Sequence, residues 1–93
     1  MNEMFELEGA SLTVHLPGDV DHPVSDEIRR ESDRIMSHVY IRTMLFDFQN
    51  TGFMDSSGIA LILRAQQRMQ LLDGSILVCN VPAQARRVLD AAG

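Results

Sequence analysis

Apolar and polar residues alternate in Met4-Phe5-Glu6-Leu7-Glu8 and again in Leu12-Thr13-Val14-His15-Leu16. A period of two sends successive side chains to opposite faces, so each stretch predicts a half-buried strand. Gly9-Ala10 leaves room only for a tight turn between them, and the pair reads as a hairpin. Pro17-Gly18-Asp19 ends the second strand. From Pro23 to about Tyr40 the period lengthens. Val24, Ile28, Ile35 and Val39 recur at helical spacing, with Asp26, Glu27, Arg29, Arg30, Asp33 and Arg34 on the other face. That pattern predicts an amphipathic helix with a solvated charged stripe. Pro23 suits its first turn, and the early acids suit its dipole.

Thr43-Met44-Leu45-Phe46-Asp47-Phe48 is nearly unbroken apolar sequence and predicts a central strand buried on both faces. After Asp55-Ser56-Ser57-Gly58, one helical stripe collects Gly58, Leu61, Ile62, Ala65, Met69 and Leu72. Arg64, Gln67, Arg68 and Gln70 lie away from it. Asp73-Gly74 closes this helix, with glycine assigned the left-handed position. Ser75 to Cys79 reads as another buried strand. Asn80-Val81-Pro82 opens a last helix with Val81, Ala85, Val88 and Leu89 inward, and Arg86 and Arg87 late in it. The order β-β-α-β-α-β-α predicts an α/β domain: an antiparallel edge pair followed by right-handed parallel βαβ units. Ligands and partners of such sheets gather beyond the carboxyl ends of the strands. The loop Gly18-Asp19-Val20-Asp21-His22 and the turn at Asp55-Ser56 both fall there, so they form one candidate surface.

Composition narrows the function. The 93 residues are enough for a single core, and 45% hydrophobic against 23% charged residues is ordinary for a folded domain. A net charge of −5 argues against a nucleic-acid binder, which needs cations to meet phosphates, and favours a protein partner. All eight basic residues are arginine. The absence of lysine excludes a Walker-type phosphate loop, a lysine Schiff base, and a receiver domain phosphorylated on Asp55. One cysteine, Cys79, cannot form an internal disulfide and is read as a buried strand thiol in a reducing compartment. No apolar run reaches the ~20 residues of a membrane span, and the acidic start is unlike a signal peptide. These features point to the cytoplasm.

The turn before the second long helix carries the chemistry. Two hydroxyls beside an acid, then glycine and a helical pattern, describe a helix that begins at an exposed serine. Its first amide N–H groups and the positive end of its dipole receive anions well. Ser56 as a simple cap is one reading, since a serine hydroxyl accepts from a free N–H as readily as Asp55 does. A phosphate acceptor is the other. Phosphorylation adds a charge of roughly −1.5 to −2. The helix start offsets part of it for the domain itself, whereas a docked partner meets that charge beside Asp55 and Asp21, with no arginine of this chain at hand.

Phe53-Met54-Asp55-Ser56-Ser57-Gly58-Ile59 closely resembles the phosphorylation motif of bacterial anti-sigma factor antagonists, the STAS domain family. The likeness runs back through Gly18-Asp19-Val20-Asp21-His22 and forward through Gly74-Ser75-Ile76-Leu77-Val78-Cys79 and Pro82 to Val88-Leu89-Asp90. It implies a STAS-type mixed sheet packed with helices, one domain over 1–93. Related domains usually continue into another strand and a final helix beyond this point. In the family the serine after the aspartate accepts phosphate, which maps to Ser56; Asp21, Asp55 and Ser57 would flank it at the docking surface. The resemblance further implies a partner-switching cycle. The unmodified protein binds an anti-sigma factor that is also a serine kinase and so frees a sigma factor; phosphorylation weakens the complex, and a serine phosphatase restores it. Such a protein is substrate and binding module, with no catalytic residue, cofactor or metal of its own. Similar domains also serve unmodified, as accessory subunits of lipid-transport ABC systems or as sensory modules.

Enzyme readings fare worse. The turn lacks the glycine–x–serine–x–glycine elbow of hydrolases, and His15, His22 and His38 have no evident pairing. Asp19, Asp21 and His22 are spaced too tightly to close a coordination shell. No glycine-rich fingerprint supports nucleotide binding.

Overall fold

The computed structural model describes residues 2–92 and contains a four-stranded and a two-stranded sheet with three helices. Strands β1 (Phe5–Glu8) and β2 (Ser11–His15) form the predicted hairpin, with Gly9 at φ 61° in its two-residue turn. Only a residue without Cβ adopts that angle at little cost. Two-residue strand β3 (Asp19–Val20) leads into helix α1 (His22–Met36). Strand β4 (Thr43–Asp47) follows, then the equally short β5 (Phe53–Met54), helix α2 (Ser56–Leu71), strand β6 (Ser75–Cys79) and helix α3 (Ala83–Ala92).

The larger sheet has the order β1-β2-β4-β6, antiparallel at β1–β2 and parallel elsewhere, which is the predicted mixed sheet. Leu12, Val14, Met44 and Phe46 point to one face and are buried beneath Ile28, Ile35, Leu61, Ile62 and Met69 of the helices. Among the described residues no helix covers the opposite face. A cross-strand row of Glu6, Thr13, Leu45 and Leu77 lies there, ending on a Leu77 that is 55% exposed. The central strand is therefore buried on one face and half-buried on the other, not on both. Strand β6 is an edge, and its Ser75, Leu77 and Val78 are exposed. Cys79 is accordingly half-buried, with burial pushing its thiol pKa up.

Several boundaries also differ from the sequence pattern. Helix α1 stops at Met36, because Ser37 caps it and turns its hydroxyl onto the Arg34 carbonyl at 2.7 Å. The start of α1 carries Pro23, as predicted, but its acid is the capping Asp21 and none lies in the first turn. At the end of α2, Asp73 takes the left-handed position at φ 57°, not Gly74. The N–H groups of Asp73 and Gly74 reach back to the Gln70 and Met69 carbonyls at 3.2 and 2.7 Å, closing a Schellman-type end. Gly74 is required for space instead: a Cβ there would lie 2.5 Å from Met69 Cε and 2.6 Å from the Arg42 carbonyl oxygen. Leu72 falls beyond the helix and is exposed. In α3, which starts at Ala83, Ala85 is buried but Val88 is exposed, and Arg86 and Arg87 sit mid-helix.

Candidate functional site

The two short strands set the geometry of the site. They pair in parallel, Asp19 beside Phe53 and Val20 beside Met54. The Gly18 carbonyl accepts from the N–H groups of Gly52 and Phe53 at 2.9 and 3.1 Å, and the Val20 carbonyl from Asp55 N–H at 3.2 Å. Thr51, buried, pins the same loop by donating its hydroxyl to the Pro17 carbonyl at 2.9 Å. One residue beyond each strand a helix is capped, α1 by Asp21 and α2 by Asp55. The ribbon therefore sets two helix N-termini side by side. Both predicted loops do meet on one surface. Gly58 seals the arrangement from below, because a Cβ there would run into Met54 and lie 3.0 Å from Val20 Cγ1.

Each polar residue of the turn has a separate task. Asp21 Oδ1 accepts from Val24 N–H at 3.2 Å. Asp55 Oδ1 accepts from Ser57 N–H at 2.9 Å and from the Ser57 hydroxyl as well. That hydroxyl also lies 3.4 Å from Ser25 Oγ on α1, so Ser57 ties the two helix starts together. The Ser57 hydroxyl holds the Asp55 carboxyl below the usual carboxylate range, helped by the N–H groups of Ser57 and Gly58 and by His22, with burial opposing. Ser56 is thereby relieved of capping. It is the first residue of α2, is exposed, and its hydroxyl makes no hydrogen bond among the described residues.

A phosphoryl group on Ser56 Oγ would stand at the end of α2, where first-turn N–H groups have no intrahelical acceptor. The sequence reading allowed no arginine near this turn, and that needs correcting. A shallow groove of about 160 Å³ beside Ser57 is lined by Arg29 and Arg64 as well as His22 and Asp26. Arg29 is held by Asp26 at 2.8 Å. Two features escaped the sequence altogether. Two residues are too few to show a period, so β3 and β5 left no signal. Phe53, a residue 50% exposed beside the turn, reads as one more apolar residue until its strand fixes which way it faces.

One histidine also differs from expectation. His15 does have partners: Nε2 lies 2.9 Å from Glu6 Oε1 and Nδ1 3.3 Å from Asp47 Oδ2, on the uncovered face of the sheet. Among the described residues no three His, Cys, Asp or Glu side chains gather as a metal site would, and no helix is long and apolar enough to cross a membrane.

Residues 3–93 match the family model of the STAS domain. The chain belongs to the STAS domain family. An anti-sigma F factor antagonist of Paenibacillus polymyxa is 33% identical over 95 residues, covering all of this chain and 81% of that protein. Among solved structures, the anti-sigma factor antagonist SpoIIAA in its unphosphorylated form superposes with a TM-score of 0.84 at 24% identity, over 92% of this chain and 79% of that one. The Bacillus cell fate determinant SpoIIAA in its phosphorylated form gives 0.82 at 26% identity, over 96% and 83%.

Proposed function

We propose that this STAS domain is an anti-sigma factor antagonist, a binding protein rather than a catalyst, switched by phosphorylation of Ser56. The observation that carries the reading is the division of labour at the turn. Asp55 caps α2 and occupies Ser57, while the Ser56 hydroxyl stands exposed with nothing to hold it. A hydroxyl without a structural task is the one that can be modified without cost to the fold. The near-equal match to SpoIIAA with and without phosphate supports a scaffold that tolerates the charge.

In this account the partner is an anti-sigma factor that acts as a serine kinase, in the cytoplasm, and a serine phosphatase resets the cycle. It docks on the face formed by Asp21, Asp55, Ser56 and Ser57, with exposed Phe53 as the apolar anchor; aromatic side chains carry much of the binding energy of interfaces. A phosphate there would face the partner beside two carboxylates. Desolvating that charge at a docked interface costs several kcal/mol, and of the two arginines lining the groove beside Ser57, Arg29 is already held by Asp26. The test is affinity for the cognate anti-sigma factor. With ATP present the parent should be phosphorylated and released, Ser56→Ala should keep the affinity the parent shows without ATP, and Ser56→Asp should bind at least about tenfold more weakly than Ser56→Ala, a loss of roughly 1.4 kcal/mol. Equal binding by both variants under ATP would leave only an unmodified STAS adaptor.

A further inference from the structure

Between α1 and α2 lies a groove of about 270 Å³. Its floor is Met36, Met44, Leu61 and Met69, unbranched or flexible side chains with no ring among them. Its rim carries Arg29, Arg64 and Arg68, with Asp33 as the acid among them. Ser32 is among the residues lining the same groove. The residue is only 5% exposed, yet its hydroxyl has no hydrogen-bond partner among the described residues. A buried helical serine normally bonds a carbonyl one turn back, so this hydroxyl is left to serve whatever enters the groove.

The rim charges do not cancel. Asp33 pairs with Arg68 and lies 3.6 Å from Arg29, and Asp26 holds Arg29 at 2.8 Å. No described carboxylate lies within ion-pair distance of Arg64. An uncompensated cation over an apolar slot, on a protein of net charge −5, selects for an anion carrying a hydrocarbon. Aromatic stacking, which a nucleobase would use, is absent from the lining. Methionines adapt to the shape of a flexible chain. The volume is near the small end of ligand sites, about 300–1,000 Å³, and suits one chain.

We infer that this groove binds a single-chain anionic amphiphile, its alkyl tail over Met36, Met44 and Met69 and its carboxylate or phosphate head on Arg64 and the Ser32 hydroxyl. The site does not use Ser56, and the two readings stand or fall separately.

The test titrates the full chain, labelled at its methionine methyls, with decanoate and with decyl phosphate below the concentration at which either self-associates. Saturable shifts are expected at Met36, Met44 and Met69 and not at Met4. Whichever head binds tighter distinguishes a fatty-acid source from a phosphate ester. Arg64→Gln, an exposed change, should weaken binding at least about tenfold; Ala65→Leu, which fills the slot, should abolish it; Ser56→Ala should bind like the parent. Uncharged decanol should bind at least about tenfold more weakly than decanoate. Absence of shifts, equal binding by decanol, an unaffected Arg64→Gln, or stronger shifts of the same methyls by ATP would each overturn the assignment.

Discussion

At the start of α2, Asp55 accepts both the amide and the hydroxyl of Ser57, and Ser56 stands outside that arrangement. Sequence could not separate these roles, because aspartate and serine cap helices about equally well and three candidates stand in a row. What settles them is the extended backbone of Asp55, at φ −92° and ψ −173°, which makes it the last non-helical residue. Asp55→Ala should therefore lower the thermal midpoint by a few degrees, while Asp55→Asn, which still accepts, should stay near the parent at neutral pH. Because the carboxyl sits below its ordinary value of 3.8, its contribution is present above that pH and is lost as pH falls through the depressed value. The Asn variant should not show that part of the acid loss. An acid melting profile of the three proteins checks both points.

Helices and the four long strands were legible as elements because each spans enough residues to display its period. Their ends were less so. Asp73-Gly74 looks like a glycine-terminated helix, yet the left-handed residue is Asp73, and Gly74 is needed where Met69 and the Arg42 carbonyl close in. The pair is doubly constrained, which no one-residue rule anticipates. Asp73→Gly should stabilise the domain by roughly 0.5–1 kcal/mol by removing a strained Cβ. Gly74→Ala should cost roughly 1–3 kcal/mol through overpacking. Urea unfolding of both variants gives the two signs; a stabilising Gly74→Ala would show that the glycine is not needed for space. The β3–β5 ribbon was illegible for a different reason, since only its pairing, not its pattern, makes it a sheet.

Across the whole molecule, one sheet face carries the core and the helices, and the other carries His15 between Glu6 and Asp47. The alternation in β2 predicted that His15 faces away from the core, but the carboxylates flanking it come from β1 and β4 and only the register brings them together. The Glu6 hydrogen bond raises the His15 pKa above its ordinary 6.5, burial opposes it, and Asp47 adds to the rise. A raised folded value means the stabilisation is complete below about pH 6.5 and is lost as pH climbs through the raised value. The melting temperature should fall over that window, and His15→Gln should flatten the fall. An unchanged slope in the variant would mean that the cluster does not couple to folding. Central to the whole account, however, is a surface that stays folded while one exposed hydroxyl changes charge. Incubating the chain with its cognate anti-sigma kinase and ATP, then locating the phosphate by tandem mass spectrometry, tests this most directly. The account predicts a single phosphate on Ser56; a phosphate on Ser57, or an unmodified protein after full incubation, would contradict it.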